Sequence, residues 1–272
     1  MTKLTKNQAR LHQQACEILA ADRDLTEDEK LFVLEHWQEA AHTTHALAGA
    51  FFTPVGLAGD LSIEVSGDRV IDLGAGIGHL AWSCRDLWGR RELVCVEVNP
   101  TYVEVGRRVL PEATWICADL LELPGMGLGR FDTAIANPPF GAIARAGDAA
   151  GGYRGRRFEY HVIAVAAQLA QYGAFIIPQQ SAPFRYSGQP YFREQRDPEL
   201  DRFEHATGIT LEPSCGIDTS TYAEAWHNVR PRVEVVTCDF TKHTPASAPV
   251  FAGVAFEATH HPAGEQLALL SA

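Results

Sequence analysis

Two rhythms divide the chain. From about Gly67, short apolar runs rich in β-branched residues alternate with amphipathic segments. "RVIDLGAG" runs into glycines and is followed by the helical pattern "IGHLAWSCRDLW"; "ELVCVEVNP" is followed by "TYVEVGRRVL". "ATWICADLL" and "FDTAIANPPF" read as a third and a fourth strand, "FEYHVIAVAAQLAQY" as a helix, "GAFIIPQQ" as a fifth strand and "VEVVTCDF" as a late one. Strands that are apolar throughout, separated by helices, predict an α/β fold: a doubly wound, mostly parallel sheet covered on both faces.

Before this region the pattern is helical. Residues 7 to 47 read as helix, with Thr26 and Glu29 as a capping box and Leu31, Leu34, Trp37 and Ala41 at helical spacing. "AGAFFTPVG" ends it, with Pro54 and Gly56 as breakers. Between Pro183 and Arg232 the chain is polar and rich in Pro, Gly, Tyr and Arg, with a short strand expected around Gly208 to Glu212. The tail is rich in Ala and Pro, with another short strand expected near Val250 to Phe256. The expected organisation is an N-terminal helical extension over 1–48, an α/β domain over 49–240 with an insertion at about 184–230, and a tail over 241–272.

Composition narrows the classes. The 272 residues suffice for one substantial core with appendages. No apolar run reaches the roughly 18 residues that a membrane helix needs, and "MTKLTKNQAR" lacks a signal-peptide core. Six scattered cysteines without a C-x-x-C pair predict reduced thiols and a cytoplasmic setting, without zinc or disulfides. His260 and His261 are read as bystanders, so no metal is expected. The formal net charge of −11 excludes a protein that simply coats nucleic acid; a polyanion would have to meet a local basic patch.

The candidate chemistry lies at strand ends. In an open parallel sheet, ligands bind beyond the carboxyl ends of the strands. The loop "DLGAGIGH" carries Asp72 at the end of the first strand, then Gly74, Gly76 and Gly78, which bare the backbone to a ligand. Glu97, at the next strand end, suits the two hydroxyls of a ribose. These features fit either NAD or S-adenosylmethionine. Asp119, at the third strand end, could accept from the exocyclic amine of a cofactor's adenine.

The fourth strand ends in Asn137-Pro138-Pro139-Phe140. An exocyclic amine conjugated to an aromatic ring is a poor nucleophile, because its lone pair is delocalised. Two acceptors, one per N–H, favour the tetrahedral geometry that aims the lone pair at an electrophilic methyl. The Asn137 side-chain oxygen supplies one and the Pro138 carbonyl the other, on a backbone stiffened by the prolines. Phe140 offers a face to a base flipped out of its stack. Arg154, Arg156 and Arg157 beside Tyr153 form one candidate contact for phosphate. Arg185, Arg193 and Arg196, interleaved with Phe184, Tyr186, Tyr191 and Phe192, form another.

On these residues the chain resembles the class I S-adenosylmethionine-dependent methyltransferases that methylate amines, with Asn137-Pro138-Pro139-Phe140 as the catalytic motif. The resemblance spans roughly residues 49 to 240 and implies a seven-stranded sheet whose last strand is antiparallel. It implies S-adenosyl-L-methionine as cofactor, with Asn137 beside it. "AGAFFTP" resembles the segment before the first strand in adenine-specific DNA methyltransferases, where Phe52, Thr53 and Pro54 would close over the methionine part. The implied activity is methylation of the adenine amine in DNA with loose sequence specificity, since a large target-recognition domain is not evident. Alternatives are an rRNA-type adenine methyltransferase, a protein glutamine methyltransferase (a group that usually has Tyr where this chain has Phe140) and a non-catalytic cofactor-binding subunit.

Overall fold

Local sequence signals set most element boundaries. The computed structural model describes residues 4–38, 51–85, 91–145, 147–149 and 152–242. Helices α1 (Lys6–Leu19) and α2 (Glu27–His36) each begin on a threonine capping box, Thr5 with Gln8 and Thr26 with Glu29. The expected single helical stretch is thus two helices, because Thr26 spends its side chain starting a new one. Trp37 falls just beyond α2, in extended backbone, and is buried. Ala41 and the expected tail strand lie outside the described residues. Helix α3 (Val55–Leu61) follows Pro54 directly, so Gly56 lies inside a helix rather than breaking one.

The sheet is built from β1 (Arg69–Leu73), β2 (Glu92–Glu97), β3 (Thr114–Cys117), β4 (Phe131–Ala136) and β5 (Ala170–Pro178). Helices α4 (His79–Cys84), α5 (Pro100–Val109) and α6 (Phe158–Leu169) alternate with them. A small ribbon of β6 (Phe184–Arg185) and β7 (Arg193–Glu194) follows, then α7 (Pro198–Thr207), β8 (Glu212–Pro213) and β9 (Val233–Asp239). Strand order is β3-β2-β1-β4-β5-β9-β8, with β1 to β5 parallel and β9 antiparallel to β5 and β8. The seven-stranded, mostly parallel sheet with its last strand reversed is as expected.

Two expectations need correction. The strand after α6 starts at Ala170, not Gly173: Ala170 is already extended and pairs with Phe131, while Tyr172 pairs with Asp239. Ladder bonds on both sides claim residues that helical propensity alone would have kept. The polar stretch after β7 contains helix α7, started by Asp197 accepting from the Glu199 and Leu200 N–H groups, with Pro198 next. It is stopped by Gly208 at φ 71°, a left-handed backbone that suits glycine.

Both sheet faces are covered. Ile71, Leu73, Val94 and Val96 pack with α6 and Phe203 of α7 on one side. Val70, Leu93 and Cys95 pack with Leu57, Leu80 and Trp226 on the other. The N-terminal helices join through a third cluster, in which Val33, Leu34 and Trp37 meet Phe52, Ile77, Tyr102 and Val109. Connections leave β1 toward β2 on one side and return to β4 on the other. The ends of β1 and β4 are therefore the switch point, where this architecture binds ligands.

Candidate active site

At that switch point a cleft of about 480 Å³ opens. Its walls include Phe51, Phe52, Gly74, Gly76, Glu97, Tyr102, Asp119, Asn137 and Pro139. A small adjoining recess reaches Thr53 and Asp72. Three neighbouring strand ends therefore converge with the segment that precedes α3.

The glycine loop does two jobs. Gly74 (φ +78°) would carry its side chain into open space, so the backbone there is bare to the cleft. The Gly76 N–H donates to Glu97 Oε2 at 2.9 Å, and the Asn99 N–H to Glu97 Oε1 at 2.9 Å. Both oxygens are thereby fixed in orientation and keep lone pairs for two hydroxyls. Burial pushes the Glu97 acid up, against those backbone donors. Gly78 does not border the cleft. It sits at φ +99° at the start of α4, where a Cβ would press on Trp115 at 3.3 Å, so its glycine serves the turn and the packing.

Asp72 is 1% exposed. Its Oδ2 accepts from the Ala81 N–H at 3.1 Å, while its Oδ1 has no partner. Desolvation by burial pushes its acid up to about 7, the Ala81 N–H opposes this, and the negative Glu97 adds to it. Two carboxylates in one partly closed site favour a cationic ligand. Asp119 borders the cleft, and its Oδ1 caps the turn that follows by accepting from the Leu121 N–H at 2.9 Å.

Asn137 is held from the far side. Its Nδ2 donates to Phe51 O at 2.9 Å and to Thr53 Oγ1 at 2.9 Å. A carbonyl can only accept, so the amide nitrogen must face Phe51 and the oxygen must face away. That oxygen is buried and has no partner. The Pro138 carbonyl accepts no hydrogen bond from the described residues. Phe140 does not line the cleft. It is half-buried and tilted against Phe51, with ring centroids 6.4 Å apart.

Just beyond the motif, the Gly141 N–H donates to Glu159 Oε2 at 3.0 Å and the Ser181 hydroxyl donates to Glu159 Oε1 at 2.7 Å. This carboxylate, 1% exposed, ties the loop after β4 to the chain leaving β5. Glu234 does the same for the insertion, accepting from Gln179, Tyr186 and Ser187.

The other expected residues separate. Phe52 lines the cleft, stacks on His79 at 5.1 Å and meets Trp37 and Tyr102. Thr53 lines the small recess, whereas Pro54 faces a second hollow on the other side. Tyr153 is fully buried and donates to Glu199 Oε1 at 2.6 Å. Arg157 is committed to Asp197 at 2.5 Å and lies over the Tyr160 ring, which makes it part of the packing of α6 against α7. Arg154, Arg156 and Arg185 are exposed, while Tyr186 packs onto the core. Sequence reading missed Phe51, Tyr102, Glu159 and Arg145, which also borders the cleft. The paired phenylalanines of "FFTP" were the visible signal for Phe51.

The chain matches no curated protein sequence. Among solved structures it is similar to the methyltransferase subunit of a type I restriction-modification system from Streptococcus thermophilus, at 15% identity and TM-score 0.55, over 78% of this chain and 48% of that one. The chain thus spans about half the length of that subunit. It is also similar to a Listeria monocytogenes protein assigned to the class I S-adenosylmethionine-dependent methyltransferases, at 12% identity and TM-score 0.53, over 93% of this chain and 78% of that one. Residues 57–152, which lay down β1 to β4 and the floor of the cleft, match the methyltransferase small domain. The fold is that of a class I methyltransferase, built on a methyltransferase small domain, and its cofactor is S-adenosyl-L-methionine.

Proposed function

We propose that this protein methylates the exocyclic amine of adenine in DNA, giving N6-methyladenine. The observation that carries the reading is Asn137. A buried amide oxygen without a partner is costly to maintain. Here the Phe51 carbonyl and Thr53 hold it in that orientation, beside the cofactor cleft.

The residues fit the cofactor. Asp72 Oδ1 would accept from the ammonium of its methionine part, Glu97 from the ribose hydroxyls and Asp119 from the adenine amine. Gly74 and Gly76 give it backbone to lie against, and Phe52 and Thr53 wall the methionine end. When bound, S-adenosylmethionine supplies a methyl group on a positively charged sulfur. The chain does the rest. Asn137 Oδ1 and the Pro138 carbonyl each accept one N–H of the target amine, which draws nitrogen toward a tetrahedral shape. The same oxygens stabilise positive charge as it develops there, without having to reorganise. The flipped base lies on Phe140, which Phe51 backs.

DNA is favoured over RNA because the Phe52-Thr53-Pro54 segment resembles that of DNA adenine enzymes. Loose sequence specificity follows from the insertion, which among the described residues offers only a two-stranded ribbon and one ten-residue helix beyond the sheet. Reading several base edges takes a larger dedicated element.

Incubation with labelled cofactor and, separately, plasmid DNA, ribosomal RNA and protein tests this, followed by digestion of the product to nucleosides. The expected product is N6-methyladenine from DNA at many sequence contexts, lost in Asn137→Ala while cofactor affinity stays within a few-fold. Label in RNA alone would reassign the substrate. Modification confined to one motif of several bases would refute loose specificity.

A further inference from the structure

The chain leaving β5 emerges at the same sheet edge as the catalytic motif and forms the β6–β7 ribbon. In its register, Arg185 stands directly opposite Arg193. Residues directly opposite in an antiparallel ribbon project from one face with Cβ atoms about 5 Å apart, and like charges so placed destabilise it. Neither arginine has a carboxylate partner among the described residues; Arg185 Nε donates to the neutral Gln195 Oε1 at 2.5 Å. Arginines nearby are neutralised: Arg157 by Asp197, Arg196 by Asp201 and Glu204, and Arg202 by Glu199. In a chain with a net charge of −11, an unpaired cationic couple is a specific feature.

Next to it, Tyr191 is 79% exposed, and Phe192 stacks on buried Phe184 with centroids 5.4 Å apart. The ribbon's stem is also rigidly joined to the active site. One buried carboxylate, Glu159, accepts from Ser181 at the stem and from Gly141, the residue after Phe140.

Resting on the nucleic-acid reading above, we propose that Arg185 and Arg193 form a clamp for one phosphate of the substrate DNA, with Tyr191 stacking on an adjacent base or sugar. A phosphate's two free oxygens can serve both guanidiniums at once and remove their mutual repulsion. The exposed ring beside the clamp supplies the stacking face that a nucleic acid uses.

The test is fluorescence anisotropy with labelled single-stranded and duplex DNA over a range of salt concentrations, using the full chain. The variants are Arg185→Gln with Arg193→Gln together, and Tyr191→Ala alone. The double variant should bind DNA about tenfold or more weakly at low salt, and its log–log salt slope should be shallower by about one to two. Its cofactor affinity should be unchanged and its melting temperature equal or higher, because the repulsion is gone. Tyr191→Ala should weaken binding without changing the slope. Wild-type protein that binds DNA, with variants matching it in affinity and slope, would overturn the clamp and leave the methyltransferase reading standing. Wild-type protein that binds cofactor but no DNA would overturn the clamp together with that reading.

Discussion

Consider Asp72→Asn. The wild-type side chain is fully buried, with one oxygen on the Ala81 N–H and the other unpartnered. Burial pushes its acid from 3.8 up to about 7. That rise corresponds to about 4 kcal/mol against the ionised form in the cofactor-free protein. The sign follows from proton linkage. Between the two values the native state holds a proton that the unfolded chain has lost, so stability falls as pH rises from about 4 to about 7 and levels off above. At pH 8 asparagine removes this cost. It keeps an acceptor for Ala81 but brings N–H donors into the recess, a loss of about 1–3 kcal/mol. The cofactor-free variant should therefore gain about 1–3 kcal/mol at pH 8, roughly 5 °C in Tm for a chain of this size. At pH 5 it should gain much less, or lose. Cofactor binding should move the other way. Without the carboxylate the ammonium loses a charge-assisted partner, and affinity should drop by about 2 kcal/mol, roughly thirtyfold. Wild-type affinity should tighten as pH rises from 6 to 8. Scanning fluorimetry at both pH values and calorimetric titration measure all of this. A variant that is no more stable at pH 8 and binds cofactor normally would refute the placement of Asp72.

Other predictions concern the remaining contacts. Glu97→Ala should weaken S-adenosylmethionine binding by about 2 kcal/mol, the scale of a lost charge-assisted hydrogen bond, and calorimetry showing unchanged affinity would remove Glu97 from the site. Phe140→Ala should weaken productive base binding by about 1–3 kcal/mol through loss of a stacking platform, seen as a raised KM for DNA with cofactor affinity intact. Glu159→Ala strands the Gly141 N–H and the Ser181 hydroxyl in the interior. It should lower urea-unfolding stability by about 2–4 kcal/mol and depress kcat more than cofactor affinity, with Glu159→Gln recovering part of both. Equal stability and kcat in Glu159→Ala would show that the loop after Phe140 does not depend on it.

Much of the fold was legible in the sequence because its causes are local. Apolar runs of strand length, helical spacing between them, the capping threonines Thr5 and Thr26 and the glycines after β1 act within a few residues of one another. The strand ends that hold Asp72, Glu97 and Asn137 could be named for the same reason: each is where an apolar run stops at a polar residue. Tertiary structure decided what needs distant partners. Sheet pairing took Ala170 to Tyr172 from the helix before them. Arg157 looked like a phosphate contact until Asp197, 40 residues on, neutralised it, whereas Arg185 and Arg193 were left facing each other. The orientation of Asn137 is set by Phe51 and Thr53, 86 and 84 residues away in the chain. An amide written in a sequence has no direction. It gains one only when folding presents a carbonyl to its nitrogen and leaves its oxygen facing the cleft.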